Sequence, residues 1–98
     1  MAKLDTAEAK RRVTELKDWT LEGDAIRRQF TFRSFPDAIA FVCRLAFDAE
    51  AADHHPDIDV RYKRVTLTYS THSEGGLTAK DFDGARAADA IAVTMARA

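Results

Sequence analysis

Cysteine is nearly absent: Cys43 stands alone among 98 residues, so no intramolecular disulfide can form and no thiolate metal site can be built from it. A charge of one sign is absent as well. The 15 Lys and Arg side chains face 16 Asp and Glu, a formal net charge of −1, and such a balance gives no global attraction to nucleic acid. No stretch approaches the roughly 18 consecutive apolar residues of a membrane span. The opening MAKLDTAEAKRR meets charged residues at once, without the apolar core of a secretory leader. Repeats, low-complexity tracts and linkers are also missing. With 46% hydrophobic and 32% charged residues, the expectation is a single compact domain over 1–98, cytoplasmic and in a reducing compartment.

What is present is a succession of periodicities. Ala9, Val13 and Leu16 recur at helical spacing, which predicts an amphipathic helix over roughly Thr6 to Lys17. Trp19 and Leu21, a Gly23-Asp24 turn, and then Ile26, Phe30 and Phe32 alternating with Arg27, Gln29 and Thr31 predict a β-hairpin with one apolar face. Ser34 is a suitable N-cap, with Pro36 in the first turn of a second helix. Its expected inward stripe is Phe35, Ala38, Ile39, Val42, Leu45, Ala46 and Ala49, and Ala40, Cys43 and Phe47 carry apolar character beyond it. A second hairpin follows. Ile58, Val60 and Tyr62 alternate with charged residues, Lys63-Arg64 serves as the two-residue loop, and Val65, Leu67 and Tyr69 alternate with Thr66, Thr68 and Ser70. That register sets Tyr62 against Val65, Val60 against Leu67 and Ile58 against Tyr69, and, extended outward, His55 against His72 at about 5 Å between Cβ atoms. A last alanine-rich helix is expected from near Thr78 to about Arg97. The order is α-β-β-α-β-β-α, an α+β fold.

All three histidines lie in one 19-residue window, in the pattern Glu50-x3-His54-His55-Pro56-x5-Tyr62-x9-His72-x8-Asp81. A zinc site is the rival use of three imidazoles, with Glu50 or Asp81 completing the set. Adjacent side chains on an extended segment diverge, however, and do not readily share a metal. Acid–base chemistry asks less of them. An ordinary histidine pKa near 6.5 lets one imidazole donate a proton while another accepts one at neutral pH, as elimination or addition of water requires. Glu50, four residues before His54, is placed to fix the tautomer of a histidine. Asp81 reads first as a helix cap, because Thr78-x-x-Asp81 resembles a capping box.

The whole pattern resembles the active-site signature of the pterin-4a-carbinolamine dehydratases. Trp19, Asp24-Ala25-Ile26, Gln29-Phe30-x-Phe32, Phe35, Ala49-Glu50 and Gly76-Leu77 extend the resemblance over about Leu16 to Ala92. It departs at Ile58, where many relatives carry an aromatic residue. The resemblance implies a four-stranded antiparallel sheet with helices packed on one face, assembled as a homodimer or a dimer of dimers. It implies dehydration of 4a-hydroxytetrahydropterin to quinonoid dihydropterin, completing recycling of the pterin used by aromatic amino acid hydroxylases, so that such a hydroxylase is a candidate companion. It implies no metal or organic cofactor, no direct nucleic-acid contact and no membrane. By resemblance the catalytic set is His54, His55 and His72: His55 leads the acid–base chemistry, His72 acts at the hydroxyl and His54 orients the pterin, with Glu50, Pro56 and Asp81 in support. Relatives of the fold also act as binding partners, one for a transcription-factor dimer and others in assembly of carbon-fixing enzymes. That is the alternative reading.

Overall fold

In the computed structural model, which describes residues 2–95, the order is α1 (Thr6–Val13), β1 (Thr20–Glu22), β2 (Ala25–Thr31), α2 (Phe35–Ala52), β3 (Asp57–Arg61), β4 (Arg64–Tyr69), a 3-10 turn (His72–Glu74) and α3 (Ala79–Met95). The four strands form one antiparallel sheet in the order β1-β2-β4-β3. Ile26 and Phe30 on β2 and Val65, Leu67 and Tyr69 on β4 share the face that the helices cover, and all five are buried with Phe41, Leu45, Phe82, Ala85 and Ala88. The residues between them, Arg27, Gln29 and Thr31, are exposed. This alternation is what an antiparallel sheet with one dry face requires. No helix among the described residues is long and apolar enough to cross a membrane.

Three expectations are corrected. Helix α1 stops at Val13 rather than Lys17. The chain then turns, with Asp18 in a left-handed conformation at φ 72°, so that Leu16 and Trp19 still reach the core. In α2 the buried row is Ala38, Phe41, Leu45 and Ala49; Phe35 and Ile39 lie on the outside, as does Ala46. Phe41 displaces them because its ring wedges between Phe30 and Phe32, each with centroids 4.9 Å away, an arrangement that favours aromatic packing.

The third correction concerns the second hairpin. Val60 pairs with Val65 and Ile58 with Leu67, so the loop is Tyr62-Lys63, and Tyr62 takes a positive φ of 54°. A left-handed bulky residue is costly, which is why periodicity alone favours the following dipeptide. The register differs from the expected one by two residues. An even shift leaves the apolar side chains within the strands on their expected face, but Tyr62 passes from strand to loop and is exposed, and the pairing of His55 with His72 is lost. Continued outward, the observed register would set His55 against Ser70, and β3 in fact begins only at Asp57. The expected end of α3 near Arg97 lies outside the described residues.

Candidate active site

The site is assembled where α2 ends. Asp53 adopts the left-handed conformation at φ 52°; its N–H donates to the Glu50 carbonyl and the His54 N–H donates to the Ala49 carbonyl, each at 3.1 Å. These are the two bonds of a Schellman motif. It is an aspartate that makes the reversal, a residue type tolerant of this conformation, and the consequence is that the His54 backbone is fixed directly to the helix. The imidazole then lies over Tyr69, with centroids 6.0 Å apart and planes 21° from parallel.

Two histidine–carboxylate pairs follow from this reversal. His54 Nε2 is 2.6 Å from Asp81 Oδ1, with His54 12% exposed and Asp81 fully buried. His55 Nε2 is 2.8 Å from Glu50 Oε1, with the two side chains 55% and 82% exposed. Because a carboxylate only accepts, Nε2 carries the proton in each pair and Nδ1 of a neutral ring is left as the basic nitrogen. Glu50, four residues before His54, thus meets His55 instead. Asp81 does more than its spacing suggested. One oxygen closes the capping box, Oδ2 accepting from Thr78 N–H at 2.9 Å, and the other reaches a histidine 27 residues away. Pro56 separates this pair of histidines from the start of β3.

His72 is placed differently. It opens the 3-10 turn, and Thr71 and Gly76 close the loop beneath it through reciprocal backbone bonds of 3.0 and 3.3 Å, with Gly75 left-handed at φ 75°. The His72 side chain lines a shallow cavity of about 380 Å³ with Asp57, Thr68 and Ser70. His54 lines another, of about 360 Å³, between the end of α2 and the start of α3 with Tyr69, Lys80 and Asp83. The structure thus groups Glu50, His54, His55 and Pro56 where α2 ends, brings Asp81 of α3 to His54, and sets His72 on a separate loop. Among the described residues no three His, Cys, Asp or Glu side chains converge as a metal centre would need.

Several functional neighbours escaped the sequence reading. Tyr69 was assigned to the core, yet its ring is at once a wall of the His54 cavity and the surface on which that imidazole rests. Burial, and then the carboxylates of Asp48, Asp81 and Asp89, push its phenol well above the usual tyrosine range, because ionisation there would place a charge in a poorly solvated, already negative environment. Gly84 explains how α3 can approach. A Cβ at that position would come within 2.5 Å of the Tyr69 ring. Arg28 points to the helix-covered face between Ile26 and Phe30, stacks at 4.1 Å on Phe30 and pairs with Asp89 at 2.7 Å; Asp89 also accepts from the Trp19 indole N–H. A charged residue at an inward strand position was the available signal for that network, which borders a cavity of about 440 Å³ containing no histidine.

A small α+β protein with a one-faced antiparallel sheet and paired histidine–carboxylate contacts at a helix terminus is the class that fold and site define. Residues 2–91 match the family described as Pterin 4 alpha carbinolamine dehydratase, and the chain belongs to that family. It is 56% identical over 90 residues to a protein of Roseiflexus castenholzii, covering 92% of this chain and 97% of that one, and 53% identical over 91 residues to one of Chloroflexus aurantiacus, covering 93% and 98%. Both carry the name pterin-4-alpha-carbinolamine dehydratase. Among solved structures, a transcriptional coactivator/pterin dehydratase from Brucella melitensis superposes with a TM-score of 0.87 at 39% identity, over 92% of this chain and 98% of that one. A pterin dehydratase-like RuBisCO assembly factor of the alpha-carboxysome superposes with a TM-score of 0.64 at 24% identity, over 76% and 86%; that likeness concerns the fold.

Proposed function

We propose that this protein dehydrates 4a-hydroxytetrahydropterin to quinonoid dihydropterin and water by histidine acid–base catalysis, as a step in recycling the tetrahydropterin used in aromatic amino acid hydroxylation. The bond from C4a to its hydroxyl breaks, that oxygen leaves as water with a proton from the protein, and the proton on N5 passes to an acceptor. The observation that carries the reading is the pair of adjacent imidazoles, each with its Nε2 held by its own carboxylate. His55 is the leading acid–base group: it is open to solvent, so it can recover or discharge its proton between turnovers, and Glu50 fixes which nitrogen is basic. His54, nearly buried and locked to Asp81, orients the pterin, and His72 acts at the leaving hydroxyl. Glu50, Asp81 and Pro56 support them by holding the imidazoles in place.

The test is the decay of freshly generated 4a-hydroxytetrahydropterin followed by ultraviolet absorbance at neutral pH, with wild type, His55→Ala and no protein compared. The expected result is acceleration by wild type and a loss of about two to four orders of magnitude in His55→Ala. A loss below tenfold would remove His55 from the leading role, and equal decay in all three samples would end the dehydratase reading.

Self-association belongs to the same reading. Phe35, Ile39, Cys43 and Phe47 recur every four residues along the outer side of α2, all exposed, with Phe47 80% accessible. A helix presents residues at this spacing as one continuous row, and small domains hide such rows against another copy of themselves. A homodimer or homotetramer is therefore proposed. Light scattering should show its mass fall in Phe47→Asp; a monomeric wild type would refute it.

A further inference from the structure

Asp81 could be a simple cap of α3, since its carboxylate accepts from the Thr78 N–H as in a capping box. A second donor reaches the same carboxylate from the other side. The Thr71 hydroxyl donates to Asp81 Oδ2 at 2.7 Å, and its oxygen lies 2.9 Å from the Thr78 hydroxyl. All three side chains are buried, Thr78 and Asp81 completely. The hydroxyl protons can be assigned from their number. Thr71 has one proton, and the carboxylate takes it; the contact between the two threonines must then use the Thr78 proton. The Thr78 oxygen in turn accepts from Lys80 N–H at 3.3 Å. The bonds run in one direction, from Thr78 to Thr71 to Asp81 Oδ2, and a chain so ordered polarises each successive member.

Position gives this chain a purpose beyond capping. Thr71 directly precedes His72, and its backbone forms the bridge with Gly76 that closes the His72 loop. Its side chain meanwhile holds the carboxylate that holds His54. With Oδ2 pinned by Thr71 from the loop after β4 and by Thr78 from the residue that precedes α3, the carboxylate plane is fixed and Oδ1 is aimed at His54 Nε2. A β-branched residue suits the task because its χ1 has few alternatives.

We propose that Thr71 is a positioning residue of this site, whose hydroxyl, acting through Asp81, holds the His54 imidazole in register with the loop that carries His72. As a statement about catalysis it rests on the dehydratase reading; as a statement about geometry it can be tested without turnover. Thr71→Val removes the hydroxyl at nearly constant shape, and Thr71→Ser restores it. The expected result is a fall in kcat of about ten- to a hundredfold in Thr71→Val with KM changed far less, since a small misplacement of a reacting group costs this much, and recovery to near wild type in Thr71→Ser. The 15N shifts of the His54 ring, which report tautomer and hydrogen bonding, should move in the valine variant and return in the serine variant. Should Thr71→Val fail to fold, Thr71→Ala and Thr71→Ser make the same comparison, differing only in the hydroxyl. Unchanged His54 shifts and unchanged kcat in a folded variant lacking the hydroxyl would overturn the proposal. A wild type inert toward the pterin, with His54 shifts that still follow the hydroxyl, would uphold the positioning role and overturn only the reaction.

Discussion

His54 and His55 are neighbours in the chain and each meets a carboxylate through Nε2, at 2.6 and 2.8 Å, yet the two pairs are physically different objects. The His55–Glu50 pair lies in solvent. Water and salt screen it, its two long side chains lose rotamer freedom to meet, and such contacts contribute about 0–1 kcal/mol. The His54–Asp81 pair is removed from water, and a fully buried carboxylate is tolerable only because Thr71, Thr78 and His54 supply donors to both oxygens. One pair can open, exchange a proton and close again at little cost. The other cannot move without uncovering a charge. The Schellman reversal at Asp53 lets two consecutive residues enter these two environments.

Removing the buried acceptor should have the largest effect. Asp81→Ala leaves the Thr71 hydroxyl, the Thr78 amide and the His54 ring without their partner in the core, and loss of one member of a buried pair costs about 3–5 kcal/mol. Urea denaturation should show that loss; a change below about 1 kcal/mol would mean that water already reaches the pair. A gentler probe acts through Tyr69. Gly84→Ala ought to stabilise α3 by up to about 1 kcal/mol on helix propensity alone, but the added Cβ meets the Tyr69 ring at 2.5 Å, and overpacking of that kind costs about 1–3 kcal/mol. The sign of the shift decides between the two. A lower melting temperature, with perturbed His54 and untouched His55 resonances, is the expected result, whereas a higher one would show that the ring yields freely.

Most of this fold could be read from the sequence because its signals are local. The Ser34 cap, the alternation in β2 and β4 and the Thr78-x-x-Asp81 box are offsets of a few residues, and each appears in the structure. An even register error in the second hairpin did no harm to the core, since strand faces depend on parity alone, but it mattered for the site, where parity is not enough to bring His55 to His72. Bonds between distant side chains were illegible. Nothing in the spacing of His54 and Asp81 says that one carboxylate oxygen remains free after capping, and nothing near Gly84 says that its missing Cβ is filled by Tyr69. Arg28 was the exception that could have been caught: a guanidinium between Ile26 and Phe30 on an inward face requires an acidic partner, here the half-buried Asp89.

High pH acts on the buried side of the site. Folding raises the Tyr69 phenol above the ordinary tyrosine value, chiefly through burial and then through the Asp48, Asp81 and Asp89 carboxylates. Above the unfolded value of about 10 the unfolded chain loses this proton while the folded chain keeps it, so the native state binds more protons and stability falls as pH rises. The contribution is fully present below pH 10 and declines above it, by at most about 1.4 kcal/mol per pH unit. Tyr69→Phe should flatten this part of the stability profile relative to wild type. Tyr62, 69% exposed, serves as the control, and equal slopes in wild type and Tyr69→Phe would show that the phenol is solvated after all.

The smallest effect is expected at the exposed pair, and it is the most telling about mechanism. Glu50→Gln keeps a hydrogen-bond acceptor beside His55 but removes the charge. Stability should change by no more than about 0.5 kcal/mol, and the difference from wild type should shrink further as salt shortens the screening length from about 10 Å at 0.1 M to about 3 Å at 1 M. Activity is where the two pairs should part. If the Glu50 carboxylate orients His55, pterin dehydration should decline in Glu50→Gln while the melting temperature stays put. Loss of stability without loss of rate would reverse the assignment, making the solvent-exposed pair the structural one.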